Sequence, residues 1–421
     1  MKNKKILSLL ISSVSAAVLL NSCGQQRIIT NHTERTEISF SWWGNDSRHD
    51  YTLAAIKDFE ELYPDIRVKC NYAEWAGYQT RYNAQMVSKT EADVMQINYA
   101  WLNEYSIDGS GYYDLDLLGE HIEFSNYSSE DLLYGYQNGV LNAIPIALNT
   151  ETIYINKTIY DEYNLDIPKT WDDFYKAANK MNGKCYPLSM SKKPAFFLIV
   201  SYIGELTGKE FMDKNGKIFY TRTEIKQMIE FYKELIDKNV IPKVEHYDKL
   251  NISNGNYAGT VAWISDAKSY CSGAQKNGYE MIVADYITIN GKLSNWYSKP
   301  ATMYAVSKHT EHPKEAALLL NYLVNSEQMA EHQKIEKGIP LNKAARTYLE
   351  NTNQLEGIQF EAFNKLEENK NRLEIISPYF ENENIIDTFF SACNEVIFEK
   401  SDIDEQTEIL YKYFNDYDSI I

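Results

Sequence analysis

The chain has 421 residues, 44% of them hydrophobic, and a formal charge of −17. That charge excludes nucleic acid as a partner, because no block of Lys or Arg offsets the repulsion locally. The length and apolar content fit about two domains with cores of their own.

The amino end carries Lys2, Lys4 and Lys5, then the apolar run Ile6–Leu20, then Leu20-Asn21-Ser22-Cys23. This is the pattern of an export leader over residues 1–22, with an apolar run too short to serve as a comfortable membrane span. Leu-Asn-Ser-Cys resembles a bacterial lipobox. In that motif the cysteine, here Cys23, is acylated and becomes the new amino terminus, and two or more acyl chains hold a protein at a membrane surface where one does not. Residues 23–36 are polar and without apolar pattern, so they read as a flexible linker, with folding expected from about Glu37.

From Glu37 onward strand and helix signals alternate. Ile38, Phe40 and Trp42 repeat with period two, and Leu53, Ile56, Phe59 and Tyr63 share one face of a helix over about 47–63. A strand over 66–72, a helix over 77–88 and a strand over 94–97 complete a βαβαβ unit, whose sheet should be parallel and right-handed in its crossovers. Residues 143–154 read as an extended crossing into a second lobe. Pro168, Thr170 and Trp171 open a helix with Asp172 and Asp173 in its first turn. Further helices are expected over 192–206 and 224–238, a strand over 260–264, and a short returning strand over 303–307. Pro313 then starts a helix, and a helix-rich tail from Asn342 is expected to pack back on the second lobe.

Ligands approach such sheets at the carboxyl ends of the strands, which singles out particular residues before any chemistry is considered. After the first strand come Trp43, Asn45, Asp46 and Arg48; after the second, Trp75; after the third, Asn98 and Tyr99. In the second lobe Trp263 and Asp266 leave a strand, and Trp296 with Tyr297 precede the return. A ring that stacks on the apolar face of a pyranose, beside polar groups that bind its hydroxyls, is what carbohydrate requires. Trp42, sharing parity with Ile38 and Phe40, and Trp171, at a helix start, fit packing roles as well. Cys70, Cys185, Cys271 and Cys393 lack metal spacing, and both disulfides and buried thiols remain open. His309 and His312 have no third ligand nearby, so neither a metal nor another cofactor is expected.

Four segments, 40–68, 74–98, 143–174 and 305–328, occur in the order found in extracellular solute-binding proteins of ABC importers, in the sugar-binding group called family 1. The chain resembles that family over essentially everything after Cys23, including the short Lys337-Gly338-Ile339-Pro340 loop. The resemblance implies an α/β fold of the periplasmic-binding-protein type. It has two lobes, each a mainly parallel sheet flanked by helices, joined by hinge strands that close over a ligand. The first lobe would combine 37–147 with 300–345, and the second 148–299 with 346–421. The implied role is capture of a sugar, a di- or oligosaccharide, by a monomeric lipoprotein on the extracytoplasmic face, and delivery to ABC permease subunits in the membrane. Ligand contacts fall on the same strand exits, while Asp93 matches an acidic position of structural character. Two rivals remain: a sugar receptor feeding a sensor kinase, and an exported glycoside hydrolase using carboxylates such as Asp46 and Asp266.

Overall fold

The computed structural model describes residues 35–213, 215–289 and 296–417. The leader and Cys23 lie outside the described residues, as does most of the linker. The first elements follow the sequence pattern closely. β1 (Thr36–Trp43) buries Ile38, Phe40 and Trp42 on one face, and α1 (Asp46–Leu62) lays Tyr51, Ala55, Ile56 and Phe59 on the core. β2 (Ile66–Ala73), α2 (Trp75–Ser88) and β3 (Val94–Ile97) complete the unit, and β1 pairs in parallel with both β2 and β3. Asp93 accepts hydrogen bonds from the Ser39 backbone N–H and Oγ, each at 2.7 Å, and from Thr310 Oγ1 at 2.6 Å. One carboxylate thus ties three chain segments together, as its position before a strand suggested.

β4 (Tyr136–Gln137) and β5 (Val140–Leu141) form a separate hairpin. β6 (Ala143–Asn156) is buried along its whole length. Its first half pairs with β9 (Tyr297–Val306), and its second half pairs with β7 (Gly259–Trp263) and β8 (Met281–Val283). β10 (Glu374–Ile375) lies along the start of β9. The main sheet therefore runs β2-β1-β3-β9-β6-β7. Beyond the parallel first unit, the pairs of β9 with β3 and of β6 with β9, β7 and β8 are antiparallel. The cause is that β6 leaves the first lobe while β9 returns to it, so the two connecting strands run opposite ways.

Two large hydrophobic clusters pack on this crossing. One gathers Phe40, Trp42, Phe59, Tyr304 and Leu320 and continues through Tyr154 to Ala267, Cys271 and Phe363, and the other gathers Phe174, Phe196, Phe211, Tyr232 and Phe389. β6 gives Ile144 and Tyr154 to the first and Ile153 and Ile155 to the second. Its ladder with β9 is irregular from Pro145 to Leu148, a bulge at which a strand bends. α/β lobes on either side of such a crossing make the architecture two-lobed. The helices Pro313–Asn325, Glu327–Gln333 and Lys343–Asn351 pack with one another, the first two also against α1. Helix Ile358–Asn369 packs against Ala267–Lys276, and Glu383–Ile397 against Lys192–Thr207 and Arg222–Asp237.

The four described cysteines are free thiols. Burial pushes Cys70 up to about 11 and Cys185 and Cys271 up to about 12, which leaves them protonated and unreactive at neutral pH. No helix among the described residues is long and apolar enough to cross a membrane.

Candidate ligand-binding cleft

On the first lobe, three strand exits bring three indoles together. Trp43 ends β1 and meets Trp75 edge-on, with ring centroids 5.1 Å apart, and Trp101 at 5.8 Å. Trp75 lies parallel to Trp101 at 5.7 Å and 8°, and Trp101 stacks on Tyr82 at 4.1 Å. Trp101 is buried whereas Trp75 is 40% exposed, so Trp75 is the outermost ring of a stack anchored in the core. Such contacts each add about 0.5–1.5 kcal/mol and leave the outer ring oriented before any ligand arrives. Trp42, by contrast, is fully buried and stacked on Phe40, as its parity indicated.

The turn from β1 into α1 is fixed by Asn45, whose Oδ1 accepts from the Arg48 backbone N–H at 3.0 Å, while Asp46 takes the first helical position. Arg48 donates through Nη2 to the Glu336 carbonyl at 2.8 Å, and its Nε is buried without a partner. Beside it Lys337 is buried and donates to the Tyr304 hydroxyl at 2.7 Å. Asn98 Oδ1 accepts from the Ala100 N–H at 3.0 Å and shapes the turn after β3. Tyr99 packs against both hydrophobic clusters.

The second lobe offers Trp263, the last residue of β7, in register with Glu151 on β6. Lys299 sits with its Nζ 4.5 Å above the Trp263 ring, and Phe197 meets that ring edge-on at 5.8 Å. Lys299 is ion-paired with Glu381, which also holds Lys193 at 3.5 Å. The following loop is pinned by Asn149, which donates to Ser265 Oγ at 3.0 Å and accepts from the Ser265 N–H at 3.2 Å. That clamp fixes Asp266, which is exposed to solvent. Crowding by protein nevertheless raises its carboxyl above the usual range, against the opposing pull of Lys249, Arg48 and Lys299. A side chain that water reaches while protein surrounds it lies in a concavity. Arg48, on the turn from β1 into α1, is one of the cations that act on Asp266.

Trp296 and Tyr297 stand elsewhere. Both are buried in the second core, where the Trp296 indole N–H donates to the Ile287 carbonyl at 3.3 Å and Tyr297 packs on Phe380 at 4.8 Å. Reading the strand exits alone missed Glu151, Lys299 and Lys337. Glu151 is buried with both carboxylate oxygens unpartnered, and that burial holds its carboxyl far above the ordinary range. Register opposite Trp263 would have pointed to Glu151, but a register is not visible before pairing is known.

This arrangement suits binding: rings held by packing and hydrogen-bonding groups held by turns at the strand exits. The sequence pattern described as bacterial extracellular solute-binding protein matches residues 54–356, which span both lobes. The chain belongs to this family. Among relatives of this solute-binding protein, the multiple sugar-binding protein of Streptococcus mutans is 27% identical over 170 residues, 40% of this chain and 39% of the relative. The arabinooligosaccharide-binding protein of Bacillus subtilis is 24% identical over 250 residues, 57% of this chain and 56% of that one. The binding protein thus spans about half the length, or less, of these two curated relatives. A periplasmic oligogalacturonide-binding protein of Yersinia enterocolitica, solved with saturated digalacturonic acid, superposes with a TM-score of 0.80. That structure is 28% identical, and the match covers 92% of this chain and 99% of the other.

Proposed function

We propose that this solute-binding protein captures a saccharide of two or more units in the cleft and delivers it to the permease of an ABC importer. The observation that carries the reading is the presence of an accessible or half-buried indole at strand exits of both lobes, Trp43 and Trp75 on one and Trp263 on the other, flanking Arg48 and Asp266. A sugar ring stacked on one wall leaves its hydroxyl rim for the other, so only the closed form contacts it on both sides, and binding favours closure. Asn45, Asp46, Asn98 and Tyr99 stand on the first wall as hydrogen-bonding groups. The named relatives bind saccharides, which supports the same class here. Binding proteins dominate those relatives, which supports capture over hydrolysis. Asp46 and Asp266 on opposing walls would also change separation with closure, which is unsuited to a carboxylate pair that must hold a fixed distance. Export by the leader and acylation at Cys23 would keep the protein beside its permease.

A thermal-shift panel of mono- and oligosaccharides tests this directly. At least one oligosaccharide is expected to raise the melting temperature, and Trp263→Ala should weaken that ligand by roughly tenfold or more, the scale of one lost aromatic contact in a desolvated site. A response to peptides or polyamines with none to any carbohydrate would overturn the reading.

A further inference from the structure

Arg48 and Lys337 are neighbouring basic groups that no carboxylate among the described residues pairs with. Among the described residues neither takes part in an ion pair. Lys337 is only 2% exposed, and its one bonded partner is a neutral hydroxyl, that of Tyr304. Arg48 is engaged by a single backbone carbonyl, and its Nε is buried without an acceptor. Buried cations are ordinarily paired, because taking an ammonium or guanidinium group out of water costs several kcal/mol that only a nearby anion returns. Here that cost falls at the amino end of α1, where the helix dipole adds further positive potential. It does so in a chain whose formal charge is −17, so a shortage of carboxylates is not the cause.

Asp266 does not fill the gap. It follows β7, where Lys249 and Lys299 also act on it, and among the described residues no ion pair joins it to Arg48. We propose, resting on the saccharide-binding reading above, that the ligand is an acidic sugar whose carboxylate is received by Arg48 and Lys337. The guanidinium offers the planar fork that matches a carboxylate, and the ammonium a second point charge beside it. In the free protein, burial and the neighbouring Arg48 charge push the Lys337 ammonium well below its ordinary range. A carboxylate beside it would act in the opposite direction and favour the charged form.

Titration calorimetry of the purified protein with digalacturonic acid and with its dimethyl ester separates charge from shape, since the two differ only at the carboxyls. The acid is expected to bind about tenfold tighter or more, the scale of one charge-assisted hydrogen-bonded pair. In Arg48→Gln and in Lys337→Met that preference should collapse, the acid falling to the affinity of the ester. Raising the salt concentration should weaken the acid and leave the ester unchanged. Equal affinity for acid and ester in the wild-type protein overturns the proposal, and so does binding of a neutral oligosaccharide with rejection of the acid; in both cases the saccharide reading stands. Silence toward every carbohydrate, acidic or neutral, removes both. The wild-type comparison alone decides the matter should either variant fail to fold.

Discussion

Burial raises the Glu151 carboxyl above its ordinary range, so the folded chain holds this proton more tightly than the unfolded chain does. Its carboxyl is raised by burial, in the presence of Lys299 and Lys193, which oppose the rise, and of Glu381 and Asp266, which reinforce it. A group whose folded value lies above its unfolded one gives most stability below the unfolded value, and that contribution is lost as pH rises toward the folded value. Glu151→Gln cannot ionise, so it should match the wild-type melting temperature near about pH 4 and exceed it at about pH 8. A variant less stable than wild type at both pH values would show that the carboxyl is held ionised by its neighbours. At this scale the sequence was informative wherever parity decided the matter. Trp42 turned inward and Trp43 did not, as alternate positions on one strand require. It named Trp296 and Tyr297 as ligand-facing where the fold buries them, and gave the Lys337 side chain no role, because burial there depends on what packs from distant parts of the chain, Phe380 and Tyr304 among them.

Helix caps carry stability that is legible residue by residue. Thr170 accepts from the Asp173 N–H while the Asp173 carboxylate accepts from the Thr170 N–H and hydroxyl, a reciprocal box at the start of the helix Trp171–Met181. Thr170→Ala should cost about 1 kcal/mol in urea unfolding, roughly the worth of a lost cap, with saccharide affinity unchanged because the helix lies in the second core. A loss of affinity without loss of stability would place this helix in the site instead. Element boundaries expected from periodicity fall within a few residues of those observed for β1, α1, β2, α2 and β3. β9 is the exception, beginning at Tyr297 where only 303–307 showed a strand pattern. Pro300 hides its first half, since proline argues against a strand. It is tolerated because it lies opposite Leu148, at the bulge in β6, where the ladder is already broken.

The whole molecule is two lobes joined by strands that cross between them, and the proposed ligand site is the space between the lobes. Composition set the acidic character, and the alternation of strands and helices set the fold class. Which walls face each other followed only from β6 and β9 running oppositely through a bulged crossing. The ligand-bearing claim is likewise a claim about the pair of lobes, because rings on one wall alone would make a surface patch of little affinity. The most direct test is a crystal structure of the protein with the saccharide that most raises its melting temperature. The account predicts one ligand lying between the lobes, touching Trp263 on one side and Trp43 or Trp75 on the other. A saccharide seated on a single lobe, with the opposite wall untouched, would contradict it.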